Sequence, residues 1–138
     1  MAHTVLIVDD SALIRRTLRS CIEQNTDWQV CGEVDNGEVA VDKVRELNPD
    51  AVILDFQMPV MNGLDAARRI AASAPNTAIV MLTIHSSEQL RKDAQAAGIE
   101  YFFSKSNPDL LFASLSQLGA GPGPTRVKGA QPRRQAGR

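Results

Sequence analysis

Apolar runs of strand length recur along the chain at Thr4–Val8, Gln29–Val34, Ala51–Leu54, Ala78–Leu82 and Glu100–Phe103. Most are rich in Val and Ile and show little polar alternation, which suits strands covered on both faces. Between them the apolar residues change to helical spacing. Ile14, Leu18, Cys21 and Ile22 form one stripe, and Ala40, Val44 and Leu47 a second. Leu64, Ala67, Ile70 and Ala71 form a third, Leu90, Ala94 and Ala97 a fourth, and Leu111, Leu115 and Leu118 a fifth. Ser86 followed by Gln89 reads as a capping box for the fourth helix, and Gly98 as its stop. Asn107-Pro108 reads as the N-cap and first position of the fifth. Strand and helix alternate five times. Such alternation predicts a parallel sheet with helices on both faces and right-handed crossovers.

The pattern stops after Leu118. Gly119-Ala120-Gly121-Pro122-Gly123-Pro124 cannot continue a helix, and Val127 is the single aliphatic residue larger than alanine beyond it. Residues 1–118 are therefore expected to fold as one domain, and 119–138 to form a disordered tail. Charge sharpens the division. The net charge of -1 hides an acidic body and a basic tail. All 16 acidic residues lie in 1–118 beside ten of the 15 Lys and Arg, whereas Arg126, Lys128, Arg133, Arg134 and Arg138 share the tail with no acid.

Composition excludes several classes. No apolar run approaches the roughly 20 residues of a membrane helix, so no membrane insertion is expected. The start, Met-Ala-His-Thr, lacks the pattern of a signal peptide, and a cytoplasmic, reducing setting is expected. Cys21 and Cys31 are then packing residues. With His3 and His85 as the two histidines, a structural zinc site lacks ligands.

In parallel α/β sheets ligands sit beyond the carboxyl ends of the strands. Asp9 and Asp10 follow the first strand, Asp55 the third, Thr83 the fourth and Lys105 the fifth. Three carboxylates, a hydroxyl and an ammonium should converge on one sheet edge. Clustered carboxylates repel, and a hard divalent cation such as Mg²⁺ relieves the repulsion. A carboxylate there can act as a nucleophile toward phosphorus, and Lys105 and the cation can offset charge on the phosphoryl oxygens.

The motifs Val5-Leu-Ile-Val-Asp9-Asp10, Leu54-Asp55-Phe-Gln-Met58-Pro59-Val-Met-Asn62-Gly63, Met81-Leu-Thr83, Ala97-Gly98 and Phe102-Phe-Ser-Lys105 complete the pattern. Through them residues 4–118 resemble the receiver domain of bacterial two-component response regulators. The resemblance implies a flavodoxin-like, doubly wound (βα)5 fold with a five-stranded parallel sheet in the order 2-1-3-4-5. It implies that Asp55 accepts a phosphoryl group from a sensor histidine kinase or a His phosphotransfer protein. Asp10, Asp55 and the backbone carbonyl of Gln57 are implied as the Mg²⁺ site, with Asp9 acting through bound water. Lys105 is implied to pair with the phosphoryl group and Thr83 to be the switch hydroxyl. Phe102 holds the place of the family's rotameric aromatic. Tyr101 is its neighbour, and strand alternation turns the two to opposite faces. Gln57 and His85, two residues after Asp55 and Thr83, are placed to tune phosphoryl lifetime. Pro59 and Gly63 shape the loop carrying Asp55 into the third helix.

Ser106 stands where many receivers have proline. A cis bond before it would cost about 2.5–4 kcal/mol without that proline. The residues after Leu118 are too few for a helix-turn-helix domain, so the expected protein is a stand-alone receiver acting on a downstream protein effector. A homodimer formed on phosphorylation is compatible with this. A second reading makes it a phosphorylation-regulated interaction module whose basic tail binds nucleic acid or an acidic partner. The tail has no aromatics for base stacking and no recognition helix, which argues against nucleic acid. A phosphohydrolase is disfavoured because Gln57 occupies the place of a general acid, and a dinucleotide site because no Gly-x-Gly-x-x-Gly follows the first strand.

Overall fold

The computed structural model describes residues 3–58, 60–84 and 87–105, with 111, 113 and 115. Pro59, His85, Ser86, Ser106, Asn107-Pro108, Leu118 and the tail lie outside them. The described elements run β1 (Thr4–Val8), α1 (Ala12–Asn25), β2 (Gln29–Val34), α2 (Gly37–Leu47), β3 (Ala51–Leu54), α3 (Gly63–Ser73), β4 (Ala78–Thr83), α4 (Glu88–Ala96) and β5 (Tyr101–Ser104). Leu111, Ala113 and Leu115 are helical as well. The strands form one parallel sheet in the order β2-β1-β3-β4-β5. The first three strands have the bounds read from the sequence. β4 runs one residue further, to Thr83, and β5 starts one residue later, at Tyr101.

Each sheet face has its own core, which is why the strands are apolar throughout. On one face Leu6, Val8, Val52, Leu54, Ile79 and Met81 meet α2, α3 and α4. On the other Val5, Ile7, Ile53, Val80 and Leu82 meet Leu18 and Ile22 of α1, with Trp28, Leu111 and Leu115. Burying each large aliphatic side chain contributes about 1.5–3 kcal/mol. Trp28 Nε1 donates to the Leu115 carbonyl at 2.7 Å, tying the last described helical residues to the start of β2. Leu47 departs from its expected stripe. It ends α2 and is 37% exposed.

Ser11, Asn36, Asn62 and Ser87 cap α1 to α4, each side chain accepting from the backbone N–H three residues on. Such a cap contributes about 1 kcal/mol. The cap of α4 corrects the expected capping box. It is Ser87, not Ser86, whose Oγ accepts from Leu90 N at 3.0 Å. Two adjacent serines have equal chemistry, and the extended backbone at Ser87 (φ -137°, ψ 158°) brings its hydroxyl to the open end of the helix. Gly98 follows α4 with φ 96°, as a left-handed stop should.

Candidate functional site

Strand register brings the acidic residues together. Val8 pairs with Leu54, so the residues that follow them, Asp9 and Asp55, leave the sheet side by side. Asp55 N donates to the Val8 carbonyl at 3.0 Å, and Asp9 N to the Val34 carbonyl at 3.1 Å. Thr83 pairs with Ser104, and Lys105 N donates to the Thr83 carbonyl at 3.0 Å. Lys105 thus begins its side chain from the same edge.

Asp9, Asp55 and Thr83 are buried, while Asp10 is exposed. One carboxylate oxygen from each of Asp9, Asp10 and Asp55 falls within 4.8 Å of the others. Lys105 Nζ bridges two of these acids, at 2.8 Å from Asp9 Oδ2 and 3.4 Å from Asp55 Oδ1. Burial, reinforced by the charge of Asp9, pushes the Asp55 carboxyl above its ordinary value against the opposing pull of Lys105. For Lys105, burial is the largest influence and acts downward. The hydrogen bond and charge of Asp9, with those of Asp55, outweigh it and hold the ammonium above the usual lysine range. The site is therefore a buried carboxylate pair stabilised by one ammonium, with a third carboxylate open to solvent. Three hard oxygen donors at this spacing fit a small divalent cation.

The other expected residues are distributed around this centre. Gln57 is exposed in the segment between β3 and α3. Phe102 packs toward α4, whereas Tyr101 and Phe103 pack on the opposite face, as strand alternation requires. The Arg91 guanidinium of α4 lies 4.8 Å from the centre of the Phe102 ring. His85 is outside the described residues.

Two features were not read from the sequence. Gly63 is the first residue of α3, and a Cβ built there would collide with the Asp55 carbonyl oxygen. Its role is close approach. Asp9 also does more than line a site. Its Oδ1 accepts from Ser11 N at 2.9 Å, and its backbone carbonyl accepts from Arg15 Nη1 at 2.7 Å. The signal for Arg15 was its place one turn into α1, just past the acidic pair, but its partner Glu33 lies on another strand.

The family description for the response regulator receiver domain matches residues 5–116. The chain is 39% identical over 111 residues to a protein-glutamate methylesterase/protein-glutamine glutaminase of Idiomarina loihiensis, covering 80% of this chain and 29% of that protein. It thus spans less than a third of such relatives. It is 39% identical over 119 residues to the chemotaxis protein CheY of Thermotoga maritima, covering 86% of this chain and 98% of that one. Its fold matches a chain of the CheX-CheY-BeF3-Mg²⁺ complex of Borrelia burgdorferi with a TM-score of 0.73 and 30% identity, over 82% of this chain and 87% of that chain.

Proposed function

The chain belongs to the response regulator receiver domain family, and from that premise we propose that Asp55 is its phosphoacceptor in two-component signalling. The observation that supports this best is Lys105 Nζ set between Asp9 and Asp55 beside the open carboxylate of Asp10. An Asp55 oxygen attacks the phosphorus of a phosphohistidine on a sensor kinase or phosphotransfer protein. The new bond is O–P, the bond that breaks is P–N, and the imidazole leaves with its electron pair. Lys105 and the Thr83 hydroxyl then contact the phosphoryl oxygens.

Asp9, Asp10, Asp55 and the Gln57 carbonyl are the residues that would hold Mg²⁺. Bound there, the cation supplies positive charge to the transferring group. The relative from Borrelia was captured with BeF3 and Mg²⁺, which agrees with such a site here. Lys105 keeps the Asp9–Asp55 pair tolerable before transfer and then moves its charge to the phosphoryl group.

The added charge is about -1.5 to -2, with three strong acceptors. Contacts from Lys105 and Thr83 to those acceptors differ between two arrangements of the domain, and that difference shifts the population. Phe102 follows Thr83, and the output surface is α4, β5 and the fifth helix. Gln57 and His85 tune how long the phosphoryl group survives. The partners are a cytoplasmic kinase or phosphotransfer protein and a downstream protein effector.

Incubation with acetyl phosphate and Mg²⁺, followed by intact mass, tests the assignment. One phosphoryl adduct is expected on the wild type and none on Asp55→Asn. No adduct on the wild type, or an undiminished one on Asp55→Asn, overturns it.

A further inference from the structure

Arg15 lies outside the carboxylate cluster but is joined to it by hydrogen bonds. Its Nη1 donates to the Asp9 carbonyl at 2.7 Å, and its Nε lies 3.3 Å from Glu33 Oε1. The other Glu33 oxygen accepts from Arg19 Nε at 2.6 Å. Arg15 and Glu33 are both largely shielded, with side chains 19% and 25% exposed. A single guanidinium thus joins the end of β1 to the edge strand β2.

What this holds follows from the acids themselves. The Asp9 carboxylate is anchored by Lys105 and by Ser11 N. The Asp10 carboxylate is exposed, and among the described residues no hydrogen bond or ion pair holds it. Its place is set by its backbone. The peptide unit from Asp9 to Asp10 is planar, so a donor gripping its carbonyl fixes the direction in which Asp10 leaves the strand.

Building on the Mg²⁺ reading above, we propose that Arg15 is a positioning residue for the cation site. It orients the Asp9–Asp10 peptide, and so the Asp10 carboxylate, while Glu33 offsets its charge. A bare guanidinium near a cation site weakens binding. Paired with Glu33 it supplies geometry without that repulsion. The two effects of Arg15 on Mg²⁺ affinity therefore have opposite signs. Loss of its charge alone would tighten binding, and loss of its hydrogen bond loosens it.

The test is calorimetric titration of Mg²⁺ into wild type, Arg15→Met and Arg15→Lys, with thermal unfolding in EDTA to verify folding. Arg15→Met is expected to bind Mg²⁺ about fivefold more weakly, the scale of one hydrogen bond. Arg15→Lys should not rescue it, because one ammonium cannot reproduce the fork that serves two acceptors. With acetyl phosphate, the Mg²⁺ concentration for half-maximal phosphorylation should rise by the same factor. The rate at saturating Mg²⁺ should stay near wild type, whereas a general structural lesion lowers it. If Arg15→Met does not fold, Glu33→Gln carries the test and should also weaken Mg²⁺ binding. Equal or tighter binding by the folded variant used overturns the proposal. A wild type that binds Mg²⁺ but forms no Asp55 adduct rejects the phosphoacceptor reading and leaves the brace to be judged by the titration.

Discussion

Replacing Gly63 with alanine puts a methyl group where the chain closes on itself. The new Cβ would press on the Asp55 carbonyl oxygen and lie 3.0 Å from both Met81 Cε and Phe56 Cα. Favourable carbon contacts begin at about 3.5 Å. Met81 can swing aside, but the other two neighbours are backbone, and one belongs to Asp55 itself. Relief therefore requires the start of α3 to move off the end of β3. That movement strains the hydrogen bond from Gly63 N to the Phe56 carbonyl, now 2.8 Å. Overpacking of this kind costs about 1–3 kcal/mol and the lost hydrogen bond about 1 more, giving an expected destabilisation of about 2–4 kcal/mol. Gly63 is not at positive φ, so the effect is steric. Gly32→Ala is the control. Its Cβ would meet Leu6 and Leu47 side chains at 3.2 and 3.3 Å, which can adjust. Urea unfolding followed by Trp28 fluorescence measures both. A Gly63→Ala variant within about 0.5 kcal/mol of wild type, the range of an ordinary surface change, would refute the reasoning.

Two further outcomes follow from the charges. The Asp55 carboxyl is raised by burial and by Asp9, so the native state binds its proton more readily than the unfolded chain. Wild-type stability in metal-free buffer should then fall as pH rises from the ordinary carboxylate range through the raised one. Asp55→Asn should lack this fall and gain on wild type toward neutral pH, and urea midpoints across pH that show a constant difference would contradict it. Lys105→Met leaves Asp9 and Asp55 without their shared ammonium, and an expected loss is about 3 kcal/mol at neutral pH. Because the Lys105 pKa is raised, the pairing is fully present below the ordinary lysine range and is lost as pH rises through the raised value. Denaturation at neutral and strongly alkaline pH should therefore show the gap between Lys105→Met and wild type closing.

The strands were legible because both sheet faces are covered, so each strand is an uninterrupted apolar run such as Ala51–Leu54. The edge of the sheet was legible for the same reason, since each run ends abruptly on a polar residue at Asp9 or Asp55. What the sequence left open were choices between equivalent neighbours and contacts across the fold. Ser86 and Ser87 carry the same hydroxyl, so the sequence does not say which of them caps α4. Gly63 looked like a turn residue, yet its need is space beside Asp55. The tie from Arg15 to Glu33 joins α1 to β2, and no local period encodes it. The acidic body could be counted from the sequence, but the sharing of Lys105 by two of its acids depends on distance.

Lys105 leaves the end of β5, an outer strand, and its ammonium reaches Asp9 at the end of β1, three positions inward. Two strands, β4 and β3, stand between β5 and β1. The side chain works as a tether laid over the ends of β4 and β3. β5 has four residues, each part-exposed, and outer strands open before central ones. Fraying at that margin would withdraw the ammonium from both acids at once. The frequency with which the rim of the sheet peels away then sets how long a competent centre can persist. A substitution that loosens β5 would shorten that persistence without touching a single acid.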